Sequence, residues 1–139
     1  MYEYNCTVEK VVDGDTIDVV LDLGFDILYK SRVRLYGIDT PESRTRNKDE
    51  KARGKMAGSF LKEAIEDGEK VVIQTKLKDS RGKFGRVLGD VVVDGVNINK
   101  LMVKCHLAVA YHGQSKKDVE AEHMRNRDIL IEKGIFEPV

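Results

Sequence analysis

The hydrophobic pattern changes its period along the chain. β-Branched and aromatic residues mark a strand over residues 2–12, closed by the turn pair Asp13-Gly14. Thr16, Ile17, Val19, Val20 and Leu21 make a second strand, and a loop over 22–26 built on Gly24 returns it into a third over 27–38. The period then becomes helical. Ala52, Met56, Phe60 and Ala64 recur at four-residue steps with Ala57, Leu61 and Ile65 beside them, which predicts a helix over 51–67. Asp49 and Glu50 suit its positive start and Gly68 its cap. Strands are predicted over 70–75 and 86–93, the second followed by an Asp94-Gly95 turn. A short helix covers 97–105. Ser115-Lys116-Lys117-Asp118 has the form of a capping box and opens a last helix, which Gly134 and Pro138 end.

Three strands, a helix, two strands and two helices make an α+β chain that is mainly β. A helix inserted after the third of five short strands points to a five-stranded Greek-key barrel of the oligonucleotide-binding kind (an OB-fold) with three helices. Periodicity by itself supports only a barrel-plus-helix domain. The length of 139 residues fits one domain over 1–139. A chain of that size buries roughly two-thirds of its unfolded surface, so it folds without staples. Cys6 and Cys105 sit in apolar surroundings and read as reduced, buried thiols. No apolar run approaches the ~20 residues of a membrane helix, and the N-terminus has no signal-peptide architecture, so a cytoplasmic location is expected.

Charge narrows the function. With 24 basic and 24 acidic side chains the formal net charge is zero, which argues against a passive nucleic-acid binder. An enzyme that holds a polyanion locally stays open. Four segments carry the chemistry: VDGDT (12–16), RLYGIDTPE (34–42), GKFGR (82–86) and AVAYHGQSKK (108–117). Asp15, Asp39 and Glu42 are hard oxygen donors whose mutual repulsion a divalent cation would relieve. Calcium tolerates a loose oxygen shell, whereas magnesium demands a stricter octahedron. Arg34 and Arg86 are planar forks suited to phosphate oxygens. A metal, two arginines and a water-orienting carboxylate form a phosphoryl-transfer arrangement. Each piece has a plainer reading as a turn, a helix start or an exposed strand residue, but all five fall at strand ends. Arg34 and Asp39 are an odd number of residues apart, so a regular strand would oppose them, and Gly37 between them is read as a bend.

These motifs, in this order and over nearly the whole chain, resemble the staphylococcal nuclease (thermonuclease) family. The resemblance implies calcium-dependent cleavage of DNA and RNA, single-stranded or frayed, leaving a 3′-phosphate and a free 5′-hydroxyl. It implies no membrane and no obligate protein partner. By that resemblance Asp15, Asp39 and the Thr40 carbonyl hold Ca2+. Glu42 acts on the attacking water as base or positioner, and Arg34 and Arg86 clamp the phosphate. Lys83 and Tyr111 belong to the substrate pocket, as does Phe84. Phe84 replaces the tyrosine of the family's best-known member, keeping an aromatic wall and losing a hydroxyl. The loop after Tyr111 lacks a second nearby tyrosine, and the 22–30 hairpin is longer than in that member. The HGQSKK loop resembles phage-encoded relatives.

The competing function is a non-catalytic copy of the fold that binds single-stranded nucleic acid or a modified peptide. Such copies are expected to lose the carboxylates or arginines, and this chain carries all five. An aspartic-protease pair fails because Ile17 and Pro41 stand where glycine is needed, and an EF-hand at Asp13 fails at Asp18 and Gly24. His106, His112 and His123 have no ligand spacing and read as structural or surface residues. Arg44, Arg46 and Lys48 form a basic stretch that either steers nucleic acid or only solubilises the loop.

Overall fold

The computed structural model describes residues 2–76 and 87–139. Strands β1 (Glu3–Asp13) and β2 (Thr16–Asp22) form an antiparallel hairpin, and β2 pairs in turn with β3 (Leu28–Leu35). A short β4 (Ile38–Asp39) precedes helix α1 (Lys48–Asp67). Next comes β5 (Val71–Thr75), antiparallel to both β1 and β6 (Val87–Val93). The chain ends with β7 (Val96–Asn97), α2 (Ile98–Lys104), β8 (Val109–Ala110) and α3 (Lys116–Glu132). A parallel pairing of β3 with β6, Val33 beside Val87 and Leu35 beside Gly89, closes β1, β2, β3, β6 and β5 into a barrel. This is the OB-type barrel with three helices that the pattern predicts.

Alternation fills the barrel. Ile17, Val19 and Leu21 of β2 are buried with Val33 and Leu35 of β3, Ile73 of β5 and Val91 of β6. Ala57 and Leu61 of α1, Ile98 and Met102 of α2 and Leu130 of α3 join the same core. Among the described residues no helix is long and apolar enough to cross a membrane.

The boundaries differ from the periodicity where polar capping decides them. Helix α1 begins three residues before the predicted 51, because the Asn47 side chain accepts a hydrogen bond from the Glu50 N–H at 3.0 Å. Its first turn is charged, so an apolar period cannot detect it. Asn97 and Ser115 cap α2 and α3 in the same way. The predicted third strand is interrupted: β3 stops at Leu35, and the chain resumes as β4, which pairs with β8 outside the barrel. Both cysteines are free, as expected, though half-buried instead of buried, and burial pushes the Cys6 thiol up to about 11.

One acidic residue ties the first helix to the last. Asp49 Oδ1 accepts from Arg53 Nε at 3.0 Å and from Arg127 Nε at 2.9 Å, and its Oδ2 accepts from Arg127 Nη2 at 3.1 Å. Arg53 is buried, so losing Asp49 would strand its charge. The hydrogen bonds from Arg127, against the opposing effect of burial and with the help of the Arg53 bond and the charges of both arginines, hold the Asp49 carboxyl below its ordinary range. Such a group stabilises the fold above the unfolded carboxylate pKa, and that stability is lost as pH falls through the lower folded value. Asp49→Asn is therefore expected to cost roughly 1–2 kcal/mol at pH 7, discounted for the solvent around Arg127. Urea unfolding at pH 7 and pH 3 checks this, and the gap between the two proteins should narrow in acid.

Candidate active site

The site is assembled where β3 leaves the barrel. Arg34 lies opposite Thr16 in the β2–β3 register, and the next residue, Leu35, donates its N–H to the Asp15 carbonyl at 2.8 Å. The strand then breaks at Gly37, whose φ of +76° lies in the left-handed region open to glycine. Beyond the break, Asp39 pairs with Val109 of β8, and Tyr111 N–H donates to the Gly37 carbonyl at 2.8 Å. The bend read from Gly37 is present, and it turns Arg34 and Asp39 to one side. Arg34 Nη2 stands 3.4 Å from Asp15 Oδ2 and 3.8 Å from Asp39 Oδ1.

The guanidinium is also fastened to the frame. Nη1 donates to the Leu35 carbonyl at 2.8 Å and Nη2 to the Ile38 carbonyl at 3.0 Å, so Arg34 bridges the strand break. Asp15 is largely buried, its side chain 15% exposed. Burial alone would raise its carboxyl. The Arg34 charge, followed by hydrogen bonds from the Asp13 side chain and the Thr40 backbone, outweighs burial and holds it below the ordinary range. Asp13 takes the opposite course. Burial first, then its hydrogen bond to Asp15 and the Asp15 charge, push it up to about 6. One member of the pair thus keeps a proton where the other stays an anion.

Asp39 is the more exposed carboxylate, and His123 holds its far oxygen. The buried His123 ring nitrogen Nε2 lies 2.7 Å from Asp39 Oδ2, so an Nε2–H donates to the carboxylate. The sequence reading assigned His123 to structure or surface, and the fold brings it into this site. A signal was available: Val119, His123, Asn126 and Leu130 follow one another along one face of α3, which sets a histidine in the inward-facing row. Thr40 is buried, and its N–H donates to Asp15 Oδ2 at 3.3 Å. Glu42 is exposed, and its N–H donates to Glu50 Oε2 at 3.1 Å.

Arg34, Asp39, Thr40, Glu42, Tyr111 and His123 all line one cleft of about 1020 Å3. The exposed rings of Tyr36 and Tyr111 stand on the same cleft. Lys83, Phe84 and Arg86 lie outside the described residues. Among the described residues no three His, Cys, Asp or Glu side chains gather as a metal cluster. What the fold does assemble is two carboxylates from distant segments, Asp15 and Asp39, facing one guanidinium; Asp39 lines the cleft together with Glu42, Glu50 and Glu120, and Asp15 is not among its lining residues.

Known proteins resemble this chain in sequence. Residues 32–129 match the family described as staphylococcal nuclease homologue. The SPβ prophage-derived endonuclease YokF of Bacillus subtilis is 37% identical over 137 residues, covering 92% of this chain and 44% of that protein. Endonuclease YncB of the same organism is 35% identical over 108 residues, 77% of this chain and 48% of that one. The thermonuclease of Staphylococcus intermedius is 35% identical over 103 residues, 74% of this chain and 57% of that one. The chain spans about half the length of these curated relatives.

Proposed function

The chain belongs to the staphylococcal nuclease homologue family, and from that premise we propose that it is a calcium-dependent phosphodiesterase that hydrolyses DNA and RNA as one domain of this type. The observation that carries the reading is the approach of Asp15 and Asp39 to the same Arg34 nitrogen, with Arg34 and Asp39 lining a cleft open to solvent. A nucleic-acid substrate, single-stranded or frayed, fits a cleft with two exposed tyrosine rings, since bases stack on aromatic faces.

The donors fit a hard cation. Asp15, Asp39 and the Thr40 carbonyl, which would hold the cation, supply only oxygen, the donor type calcium takes. A bound Ca2+ supplies charge neutralisation at the phosphate oxygens. The chain's own groups do the rest. Arg34, already fixed through the Leu35 and Ile38 carbonyls, presents a preorganised fork to the phosphate, and Arg86 is assigned the matching role. Glu42, exposed on the cleft, orients or deprotonates the attacking water. His123 is a positioning residue that fixes the Asp39 carboxylate through Oδ2 and leaves Oδ1 facing Arg34. Tyr111, with Lys83 and Phe84, is assigned to the substrate pocket.

Single-stranded DNA and RNA oligonucleotides incubated with calcium should be cut to fragments bearing 3′-phosphate and 5′-hydroxyl ends. Excess chelator should abolish cutting. Product ends of the opposite kind, or undiminished cutting in chelator, would overturn the mechanism. Tight, salt-sensitive binding without cleavage in calcium would identify a binding module instead.

A further inference from the structure

A second, shallower groove of about 440 Å3 lies between the end of β1 and α1. Gly54 and Gly58 of α1 leave it open on the helix side, while Asp13, Arg44, Lys55 and Lys62 stand around it. Gly54 has a structural reason to lack a side chain: a Cβ there would meet the Pro41 and Glu42 backbone at 2.7 Å. The loop that carries Glu42 on the main cleft is therefore pressed against the helix whose next turns border this groove. Ser43 and Arg44, immediately after Glu42, line the groove, so the two depressions are joined by consecutive residues.

The lysines of α1 share one face, with Glu66 among them near the C-terminal end. The four lysines are Lys48, Lys51, Lys55 and Lys62, and all are exposed. At 3.6 residues per turn they fall within an arc of roughly 60°, over a rise of about 21 Å. Among the described residues only Lys62 of these has an acidic partner, Glu66 at 4.0 Å, an exposed pair of little strength. Arg44 has no ion-pair partner among the described residues. Among the described residues Asp13 is the one carboxylate lining the groove, and its Oδ1 accepts the Asp15 N–H at 3.2 Å. A chain of zero net charge has thus placed a row of four lysines, three of them without an acidic partner among the described residues, beside a groove whose lining begins one residue after Glu42 of the main cleft.

We propose that this groove and its lysine row form a track for the phosphate backbone of the polynucleotide outside the scissile bond, so that the substrate is a strand several nucleotides long. The proposal rests on the nuclease reading for its ligand. Cations along a groove hold single strands without reading bases, and each phosphate contact adds salt dependence. Arg44 stands where the strand leaves the cleft, and Lys55 and Lys62 extend the path along the helix.

The test compares the full chain with a Lys55→Ala/Lys62→Ala double variant, using a 20-nucleotide single strand and a dinucleotide. In calcium, the variant should raise KM for the 20-mer on the order of tenfold while kcat stays level, and it should leave dinucleotide kinetics unchanged. In chelator, fluorescence anisotropy of the labelled 20-mer should show weaker binding, with the slope of log Kd against log salt flattened by about 1.4 for two lost contacts. Equal 20-mer affinity and equal slope in the two proteins would overturn the track, as would an equal loss on the dinucleotide. Failure to cleave anything would refute the nuclease reading alone, because the anisotropy measurement needs no catalysis.

Discussion

Replacing Arg34 with alanine is expected to lower turnover of an oligonucleotide by a hundred- to a thousand-fold. The estimate follows from the usual loss of about 3–4 kcal/mol when one preorganised donor to a developing oxyanion is removed. Arg34 meets the condition for preorganisation, since one N–H of Nη1 and one of Nη2 are held by the Leu35 and Ile38 carbonyls, which fixes the plane of the fork and leaves its other N–H groups for a phosphate. The same bonds mean that the variant is not silent in stability. It leaves two carbonyls short of a donor and the largely buried Asp15 without its counter-charge, a cost of roughly 1–3 kcal/mol. Calcium separates the two effects. With the guanidinium gone, Asp15 and Asp39 repel each other more, so a cation should bind no more weakly than before while kcat collapses. Arg34→Lys should recover part of the stability and little of the rate, because a point charge does not replace a two-pronged donor. Single-turnover kinetics together with urea unfolding checks both parts. Near-normal turnover in a folded alanine variant would remove Arg34 from the mechanism, and Arg86→Ala is expected to fall as steeply.

His123→Leu should weaken calcium binding by about 10–100-fold, the usual range when the partner that orients a ligand is lost. The imidazole is the bond holding Asp39 Oδ2, at 2.7 Å, and the aspartate side chain is otherwise 35% exposed and able to swing. Leucine fills the buried space and removes the donor. His123→Gln supplies an amide N–H near the Nε2 position and should restore most of the affinity, an outcome that packing alone would not produce. Calorimetric titration of calcium into the three proteins is the measurement. Unchanged affinity in a folded His123→Leu protein would leave the histidine a merely structural link between α3 and β4.

The parts of this protein written in local sequence were legible without coordinates. The barrel strands alternate, α1 repeats at four-residue steps, and Ser115 with Asp118 announces α3. Even the bend at Gly37 followed from parity, because two residues five apart cannot share a face of an unbroken strand. What escaped depends on partners far away in the chain. β4 and β8 are two-residue strands, too short to have a period, and they exist because each finds the other. The His123–Asp39 contact joins residues 84 apart, and nothing near either residue records the other. The groove beside α1 needed the helix and the 41–44 segment in the same view, although the lysine spacing was there to be read. The start of α1 was missed for a different reason, since a polar cap carries no hydrophobic period.

The parallel seam between β3 and β6 has a consequence for how the molecule comes to be made. Its partners, Val33 with Val87 and Leu35 with Gly89, are separated by the whole of α1 and β5. Pairing of this kind pays a large loop-closure entropy before any contact rewards it. During synthesis the β1–β2–β3 meander and α1 can emerge and gain structure early, but Arg34, on the seam itself, acquires its neighbour Leu88 only after that distant strand has left the ribosome. A nascent chain therefore carries Asp15, Arg34 and Asp39 before the seam that holds β3 in the barrel can close, so hydrolytic competence would be withheld until β6 is out.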